Sequence, residues 1–321
     1  MKITICAAGF KRMRDALQAA LPRDEIAECA PADAALAAAD SDVLIPIMAP
    51  ITAAVFQSQR LRLVQQYGVG LEAIDIDAAT RAGIPVANVP SGGSGNAESV
   101  AELAIAQMMM LGRDLPQAQA NFYQRRFGAP IGRALWQSCV VIVGYGGIGQ
   151  EIARRLAGWG VRIVAVSRRG PGAGPAQDGS VHVDRHVDAR GLHAALAEAD
   201  FVVVAAPASA ANVGLIGREA IAAMKPGAFI VNIARGAVID YDALLEGLRS
   251  GRIAGAALDV FWQEPFDPDD PLLRERVIPT PHIAGVTEEC FRGVGQAVAA
   301  NIERLRAGEQ LANCANPEVL S

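Results

Sequence analysis

Short runs of apolar residues alternate with alanine-rich stretches of helical character through residues 1–95. Runs rich in Val, Ile and Leu that are bounded by Gly, Pro or Asn are typical of buried strands. Strands are therefore predicted at residues 3–7, 43–47, 61–66 and 84–88. Because strands that alternate with helices pair in parallel, this part of the chain is predicted to form a parallel sheet covered by helices.

A second series of the same kind begins at Cys139. Its predicted strands are residues 140–143, 161–166, 201–205, 229–232 and 254–258. Near the end of the chain, residues 288–308 predict a long helix that is too short to be a domain, and we expect it to pack back on the first sheet. The pattern thus predicts two α/β domains with parallel sheets. The first, discontinuous domain comprises residues 1–95 and 287–321, and the second comprises residues 96–286.

Length, charge and cysteine content limit the number of domains, the partners and the cellular location that this chain can have. A chain of 321 residues is long for one hydrophobic core, which favours two domains. Its 29 basic and 34 acidic residues give a net charge of −5, which argues against nucleic acid as a partner. The uncharged residues 43–59 contain Pro46 and Pro50 and are too few to span a membrane. The five cysteines form no C-x-x-C pair, so a reducing cytoplasm is expected.

The most informative motif lies where the second series begins. Residues 140–149 have the sequence VVIVGYGGIG, in which a β-rich run leads into Gly144, Gly146 and Gly149 at the spacing G-x-G-x-x-G. In a dinucleotide site the first glycine permits a tight turn, the second lets the backbone approach a pyrophosphate, and the third lets the next helix pack on the sheet. An ordinary glycine turn is the alternative. The strand before the motif and the helix predicted after it favour the dinucleotide site.

The end of the next strand bears on which dinucleotide is bound. An NAD site normally places Asp or Glu there for the ribose hydroxyls, whereas this chain has Ser167, Arg168 and Arg169 and no acidic residue between Gly160 and Asp178. A hydroxyl and two guanidiniums suit the oxygens of an extra phosphate. NADPH is therefore the predicted cofactor, with NADH possible. The alternative is that both arginines are solvated surface charges.

Three side chains in the second half suit hydride transfer to a carbonyl. Such a reaction needs a proton donor, a cation that polarises the carbonyl, and a group that tunes the donor. His282, Arg235 and Glu264 each follow a predicted strand, at the edge where open α/β sheets bind ligands. A packed loop histidine, a structural ion-pair arginine and a helix-start acid are the alternative interpretations.

A metal site is not expected. His182 and His186 are four residues apart but lack further ligands nearby, and we expect them to be solvated.

Several segments together resemble the D-isomer-specific 2-hydroxyacid dehydrogenase family, which includes glyoxylate, hydroxypyruvate and phosphoglycerate dehydrogenases. They are YGVG at residues 67–70, NAESVAE at 96–102, NIARG at 232–236 and PHIAG at 281–285, besides the glycine motif. The resemblance covers nearly the whole chain. It implies two Rossmann-like domains, of which the first binds the substrate and is flavodoxin-like.

The resemblance also implies a role for each matching residue. His282 would protonate the carbonyl oxygen, Glu264 would orient its imidazole, and Arg235 would bind the substrate. The backbone of Val69 and Gly70 would receive the substrate carboxylate. Asp259 would lie near the nicotinamide amide, and further cofactor contacts are implied at Gly147, Ile148, Pro207, Asn212, Ile233, Ala234, Arg235, His282 and Gly285.

One segment departs from the family pattern. Where many members carry Leu-Thr-Pro-x-Thr, this chain has APASAAN at residues 206–212. A threonine contact to the cofactor is therefore lost, or is replaced by Ser209 or Asn212.

We therefore expect NADPH-dependent reduction of a small 2-oxo acid, such as glyoxylate or hydroxypyruvate, to the D-2-hydroxy acid. The resemblance further implies a homodimer that pairs through the helical residues 96–121. Two alternatives remain. One is an NAD-dependent enzyme of the same family for a bulkier substrate, and the other is a cofactor-sensing, corepressor-like binding protein.

Overall fold

The structure, a computed structural model, describes residues 1–168 and 183–320. The chain divides into two compact units, Met1–Ala97 with Val286–Ser321, and Glu98–Gly285. Both units are α/β with parallel sheets, and the first is discontinuous. The predicted fold class is thereby confirmed.

The first unit contains a five-stranded sheet in the order β2-β1-β3-β4-β5. Every neighbouring pair is parallel, and this strand order is the flavodoxin-like one. The strands are β1 (Lys2–Ile5), β2 (Glu25–Glu28), β3 (Val43–Ile45), β4 (Leu63–Gln65) and β5 (Val86–Ala87), and the helices are α1 (Lys11–Ala20), α2 (Ala34–Ala38), α3 (Ile76–Arg81) and α10 (Glu288–Ala307).

Helix α10 packs against α1 on one face of this sheet. It begins after Thr287, whose side chain accepts a hydrogen bond from the N–H of Cys290 at 3.1 Å, and it ends at Gly308 in the left-handed conformation. Val294, Val298 and Ile302 recur every four residues and are buried. The apolar stripe of α10 thus completes the core of the first unit from the far end of the chain.

The second unit contains a seven-stranded parallel sheet in the order β12-β11-β10-β9-β6-β7-β8. Its strands are β6 (Cys139–Val143), β7 (Arg162–Val166), β8 (Arg185–Val187), β9 (Phe201–Val204), β10 (Ala228–Asn232), β11 (Ile253–Leu258) and β12 (Val277–Pro279). The helices are α4 (Asn96–Arg113), α5 (Leu115–Tyr123), α6 (Gly147–Leu156), α7 (Leu192–Leu196), α8 (Arg218–Ala223) and α9 (Tyr241–Arg249).

Alternate residues of β6 enter two separate cores. Val141 and Val143 pack in one cluster, whereas Val140 and Ile142 pack in the other on the opposite face. A strand buried on both faces requires a continuous apolar run, which β6 has. Sequence order reverses around β6, so its carboxyl end opens at the switch point where such sheets bind ligands.

Three strands lie outside the predicted strand ranges, namely β2, β8 and β12. Each lies at an edge of its sheet, and none is fully buried. Strands β2 and β8 contain charged or polar residues, and β12 has only three residues, so none of them has the longer apolar run on which the prediction depends. Of the residues named above, Arg169, Asp178 and His182 lie outside those that the structure describes.

Candidate active site

Three candidate side chains follow adjacent strands of the second unit. Arg235 lies three residues after β10, Glu264 lies in the loop after β11, and His282 lies three residues after β12. These strands are parallel neighbours, so their carboxyl ends share one edge of the sheet. The fold therefore brings distant segments of the chain to the same edge.

The imidazole of His282 is paired with the carboxylate of Glu264. Nδ1 of His282 lies 2.7 Å from Oε2 of Glu264, and Oε1 of Glu264 accepts a hydrogen bond from the N–H of Phe261 at 3.0 Å. The side chains are 38% and 22% exposed, so solvent or a ligand reaches the pair.

The surroundings of Glu264 favour its charged form. Burial would raise the pKa of Glu264, but hydrogen bonds from His282 and Phe261 and the charges of His282 and Arg235 hold it below its usual value. An ionised carboxylate only accepts hydrogen bonds, so Nδ1 of His282 carries the shared hydrogen. Nε2 is then the nitrogen that exchanges a proton with a bound molecule.

A buried carboxylate holds the segment that carries His282. Oδ1 of Asp259 accepts hydrogen bonds from Oγ1 of Thr280 at 2.6 Å and from the N–H of Ile283 at 2.9 Å. Its Oδ2 accepts the N–H of Ala284, and its carbonyl oxygen accepts the N–H of His282, both at 2.9 Å. His282 has a φ of 54°, a left-handed conformation that is rare outside glycine. The bonds to Asp259 on both sides of His282 stabilise that conformation.

The turn that carries Arg235 is fixed by its own neighbours. The side chain of Asn232 donates to the carbonyl of Arg235 at 3.0 Å and accepts the N–H of Ala234 at 3.1 Å. A Cβ on Gly236 would lie 2.2 Å from the carbonyl carbon of Phe261. The turn after β10 thus packs directly on the loop that carries Glu264, and Arg235 is partly buried beside it.

The glycine motif forms a tight strand-to-helix turn. Gly144 has a φ of +103°, and a Cβ there would lie 2.4 Å from the N atom of Ala206, while one on Gly149 would lie 2.2 Å from the carbonyl oxygen of Gly144. A Cβ on Gly146, by contrast, would have no atom of residues 1–168 or 183–320 within 4 Å, apart from its chain neighbours. Gly146 is the N-cap of α6, whose first residues are Gly147 and Ile148. This arrangement fits the pyrophosphate of a dinucleotide.

Ser167 and Arg168 directly follow β7, and Arg168 is exposed. Oγ of Ser167 lies 2.8 Å from Nε2 of His186, and the His186 ring contacts Tyr145 edge-on with 5.2 Å between centroids. The prediction that His186 is solvated is therefore wrong. Strand β8, which the sequence did not predict, brings the His186 ring against the end of β7.

The remaining candidate cofactor residues lie at the same edge of the sheet. Asn212 closes the loop after β9, because its side chain donates to the carbonyl of Pro207 at 2.8 Å. Ile233 and Ala234 are buried after β10, whereas Gly285 is partly exposed.

The candidate substrate loop belongs to the first unit. The carbonyls of Val69 and Gly70 accept hydrogen bonds from Asn88 at 2.7 Å and from Gln66 at 2.8 Å. Within the residues that the structure describes, neither the N–H of Val69 nor that of Gly70 has an acceptor. The loop therefore presents two backbone donors, which suit an anionic group.

Comparison with known proteins identifies the family in which this arrangement of residues is found. The family model described as "D-isomer specific 2-hydroxyacid dehydrogenase, NAD binding domain" matches residues 105–284. The chain belongs to the D-isomer specific 2-hydroxyacid dehydrogenase family. Members of this family are NAD(P)-dependent oxidoreductases, and the matched region contains the glycine turn and the Arg235, Glu264 and His282 segments.

Individual proteins that are similar in sequence to this chain support the same family. The glyoxylate reductase of Korarchaeum cryptofilum is 35% identical over 293 residues, covering 88% of this chain and 84% of the relative. The D-3-phosphoglycerate dehydrogenase of Archaeoglobus fulgidus is 34% identical over 278 residues. That alignment covers 85% of this chain but 51% of the relative, so the chain spans about half the length of that dehydrogenase. The relatives named glyoxylate reductase support reduction of a 2-oxo acid.

A solved structure of a family member has the same fold. The D-isomer specific 2-hydroxyacid dehydrogenase from Xanthobacter autotrophicus Py2, in complex with NADPH and MES, superposes with a TM-score of 0.77 at 26% identity. The match covers 100% of this chain and 99% of that one. A nicotinamide cofactor is therefore common to the family model and this structure.

The described residues contain neither a metal-binding cluster nor a membrane-spanning helix. Across residues 1–168 and 183–320, no three His, Cys, Asp or Glu side chains come together as they would to bind a metal ion. None of the described helices combines the length and hydropathy needed to cross a membrane.

Two polar residues that support the candidate site, Thr280 and Gln107, were not predicted from the sequence. Thr280 donates to Asp259 and accepts a hydrogen bond from Nε2 of Gln107 at 3.1 Å. Gln107 is fully buried on α4, and its Oε1 finds no hydrogen-bond partner in the described part of the chain. A glutamine on the apolar face of a predicted helix was the signal, because a buried amide needs polar partners.

Proposed function

We propose that this protein reduces a small 2-oxo acid of the glyoxylate or hydroxypyruvate type to the D-2-hydroxy acid with NADPH. The observation that carries the proposal is the His282–Glu264 pair, 2.7 Å apart beside Arg235 at the ligand-binding edge of a nucleotide-binding sheet. The relatives named glyoxylate reductase support the same substrate class.

Each residue has a distinct task in this reaction. The bound nicotinamide supplies the hydride. Nε2 of protonated His282 donates a proton to the carbonyl oxygen as negative charge develops there. Glu264 orients the ring and stabilises its charged form, and Arg235 attracts the carbonyl oxygen and the adjacent carboxylate. The N–H groups of Val69 and Gly70 bind the carboxylate of the substrate.

The two compact units are proposed to divide these tasks. Their limits lie within two residues of the predicted domains 1–95 with 287–321 and 96–286. The unit Glu98–Gly285 would bind the cofactor and carry the proton donor, and the discontinuous unit would bind the substrate carboxylate.

The proposed preference for NADPH rests on the end of β7. Ser167 and exposed Arg168 follow that strand, and the sequence has no acidic residue between Gly160 and Asp178. A carboxylate there would repel an additional phosphate, whereas a hydroxyl and a guanidinium bind it. Arg169, the third residue of this prediction, lies outside the described residues.

A panel of 2-oxo acids assayed with NADPH and NADH tests the proposal. We expect kcat/KM to be highest for glyoxylate or hydroxypyruvate, to be greater with NADPH, and to fall by about 10²–10⁴ in His282→Ala. Higher efficiency with NADH would refute the cofactor preference. A strong preference for bulky side chains would refute the substrate class. Tight cofactor binding without turnover of any 2-oxo acid would instead favour a cofactor-sensing protein.

A homodimer is also proposed. Large apolar side chains at the end of α5 and in the segment after it are mostly exposed, namely Phe122 (77%), Tyr123 (84%), Phe127 (103%), Ile131 (98%) and Trp136 (64%). Exposed apolar groups at this density are typical of an interface. They adjoin the helical residues 96–121 through which pairing is predicted.

A reducing compartment such as the cytoplasm remains the proposed location. None of the five cysteines is in a disulfide.

A further inference from the structure

The imidazole of His186 lies between two parts of the nucleotide-binding edge. On one side is Tyr145, which stands between Gly144 and Gly146 in the glycine turn, with a ring-centroid distance of 5.2 Å and an interplanar angle of 63°. On the other side is Ser167, whose Oγ lies 2.8 Å from Nε2 of His186.

The strand register explains this position. Strand β8 pairs with β7 so that His186 lies opposite Ala165 and Val187 lies opposite Val166. The N–H of Ser167 then donates to the carbonyl of Val187 at 3.1 Å. In a dinucleotide fold the end of this second strand faces the ribose of the adenosine half. The Ser167–His186 pair therefore lies where a 2′-hydroxyl is distinguished from a 2′-phosphate.

Hydrogen-bond chemistry makes the direction of this bond important. A phosphate dianion accepts hydrogen bonds and donates none, whereas a ribose hydroxyl does both. If Nε2–H of His186 donates to Oγ of Ser167, the serine hydroxyl is left to donate to a phosphate oxygen. In the other tautomer the serine hydroxyl donates to Nε2, and a phosphate meets only lone pairs of Ser167.

The surroundings of His186 also bear on this choice. Burial lowers the pKa of His186, so its neutral form, with a single N–H, predominates at neutral pH. A neutral ring has two tautomers. A nearby anion favours the tautomer in which Nε2–H donates to Ser167, because the serine hydroxyl can then donate to the anion. Arg168, next to Ser167 and exposed, adds positive charge at the same strand end.

We propose that His186 is a specificity-determining residue for the phosphorylated cofactor, acting by orienting the hydroxyl of Ser167 toward the 2′-phosphate of NADPH. This inference rests on the proposed preference for NADPH. The sequence suggests that Ser167, Arg168 and Arg169 distinguish NADPH from NADH. The inference adds His186, on edge strand β8, to these residues.

Substitutions at His186 test the proposal through the ratio of KM for NADPH to KM for NADH. His186→Phe keeps an aromatic ring against Tyr145 but removes the donor, and we expect the ratio to rise about tenfold. His186→Gln retains an N–H donor and is expected to keep the ratio within about threefold of the wild type. His193→Gln is the matched control, since His193 is exposed on α7.

Ser167→Ala provides a second arm. If His186 acts through Ser167, adding His186→Phe to Ser167→Ala changes the ratio no further. The proposal is overturned if His186→Phe raises both KM values equally, if it leaves the ratio unchanged, or if the two substitutions act additively.

The test of His186 can be distinguished from the test of the NADPH preference. A wild type that favours NADH refutes the proposed cofactor, whereas an NADPH-preferring enzyme whose ratio is insensitive to His186 refutes only this inference.

Discussion

The pairing of Glu264 with His282 predicts a loss of turnover when the carboxylate is neutralised. Glu264 is ionised at neutral pH because its pKa is held below the usual value, and its Oε2 lies 2.7 Å from Nδ1 of His282. Glu264→Gln keeps the shape but removes the charge that orients the imidazole, so kcat for reduction is expected to fall at least about tenfold with a smaller change in KM. Glu246→Gln, on the exposed side of α9, is the control. Steady-state kinetics check this prediction, and an unchanged kcat in Glu264→Gln would contradict the role given to Glu264.

The conformation of His282 depends on bonds made elsewhere. Thr280 links Gln107 on α4 to Asp259, and Asp259 binds both sides of His282. Thr280→Val removes the donor while keeping the volume, and kcat is expected to fall about tenfold because His282 loses its fixed orientation.

Thr280→Ser restores the hydroxyl and should recover most of kcat. Steady-state kinetics with both variants check this prediction. If Ser and Val reduce kcat equally, the hydroxyl does not position His282.

The turn after β10 and the loop after β11 meet without space for a side chain. A Cβ on Gly236 would lie 2.2 Å from the carbonyl carbon and 2.3 Å from the carbonyl oxygen of Phe261. Gly236→Ala is therefore expected to displace Arg235 relative to Glu264, to lower kcat/KM at least tenfold, and to cost about 1–3 kcal/mol of unfolding free energy.

Gly92→Ala is the matched control, because a Cβ there meets nothing within 4 Å. Kinetics and thermal unfolding of both variants provide the comparison. A Gly236→Ala enzyme with wild-type kinetics would show that the two segments are not coupled by this contact.

The strands differ in how well the sequence predicts them. The apolar runs of β6, β7, β9 and β10 match their predicted positions to within one or two residues, because burial on two faces requires an uninterrupted run. Strand β8 has the sequence RHV and is half exposed, so nothing in its local pattern distinguishes it from a loop. Its pairing with β7 stabilises it, and that pairing is a long-range contact.

A buried ion pair predicts how the first unit responds to acid. Oδ1 and Oδ2 of Asp24 lie 2.6 and 2.8 Å from Nη2 of Arg306 on α10. Burial would raise the pKa of Asp24, but hydrogen bonds from the amino terminus and Arg306 hold it below its usual value. A depressed carboxyl pKa gives stability that is present above the pKa of the unfolded chain and is lost as pH falls through the folded value.

Asp24→Asn is therefore expected to cost roughly 1–3 kcal/mol at neutral pH, and to make stability less dependent on pH below about 4. Urea unfolding between pH 3 and 7 measures both effects. Asp15→Asn, in an exposed pair with Lys11, is the control. Equal acid sensitivity of Asp24→Asn and wild type would contradict this prediction.

Association of two chains is expected through the exposed apolar residues after α5. Replacing Phe127 and Ile131 with Ser should shift a dimer to monomer, since both side chains are fully exposed in the single chain. Light scattering after size-exclusion chromatography measures the mass. Leu36→Ser, on an exposed position of α2, is the control. A wild type that is monomeric at micromolar concentration would refute the dimer.

The sequence by itself determined the fold class, the discontinuous first domain and the family. These depend on local features, namely apolar runs, glycines at fixed spacing and short motifs around Arg235 and His282. Only the tertiary structure decided that Nδ1 of His282 meets Glu264 and that Asp259 holds the His282 segment. It also placed His186 against Ser167. Those contacts join residues on different strands, and sheet register, which no local pattern encodes, sets which side chains meet.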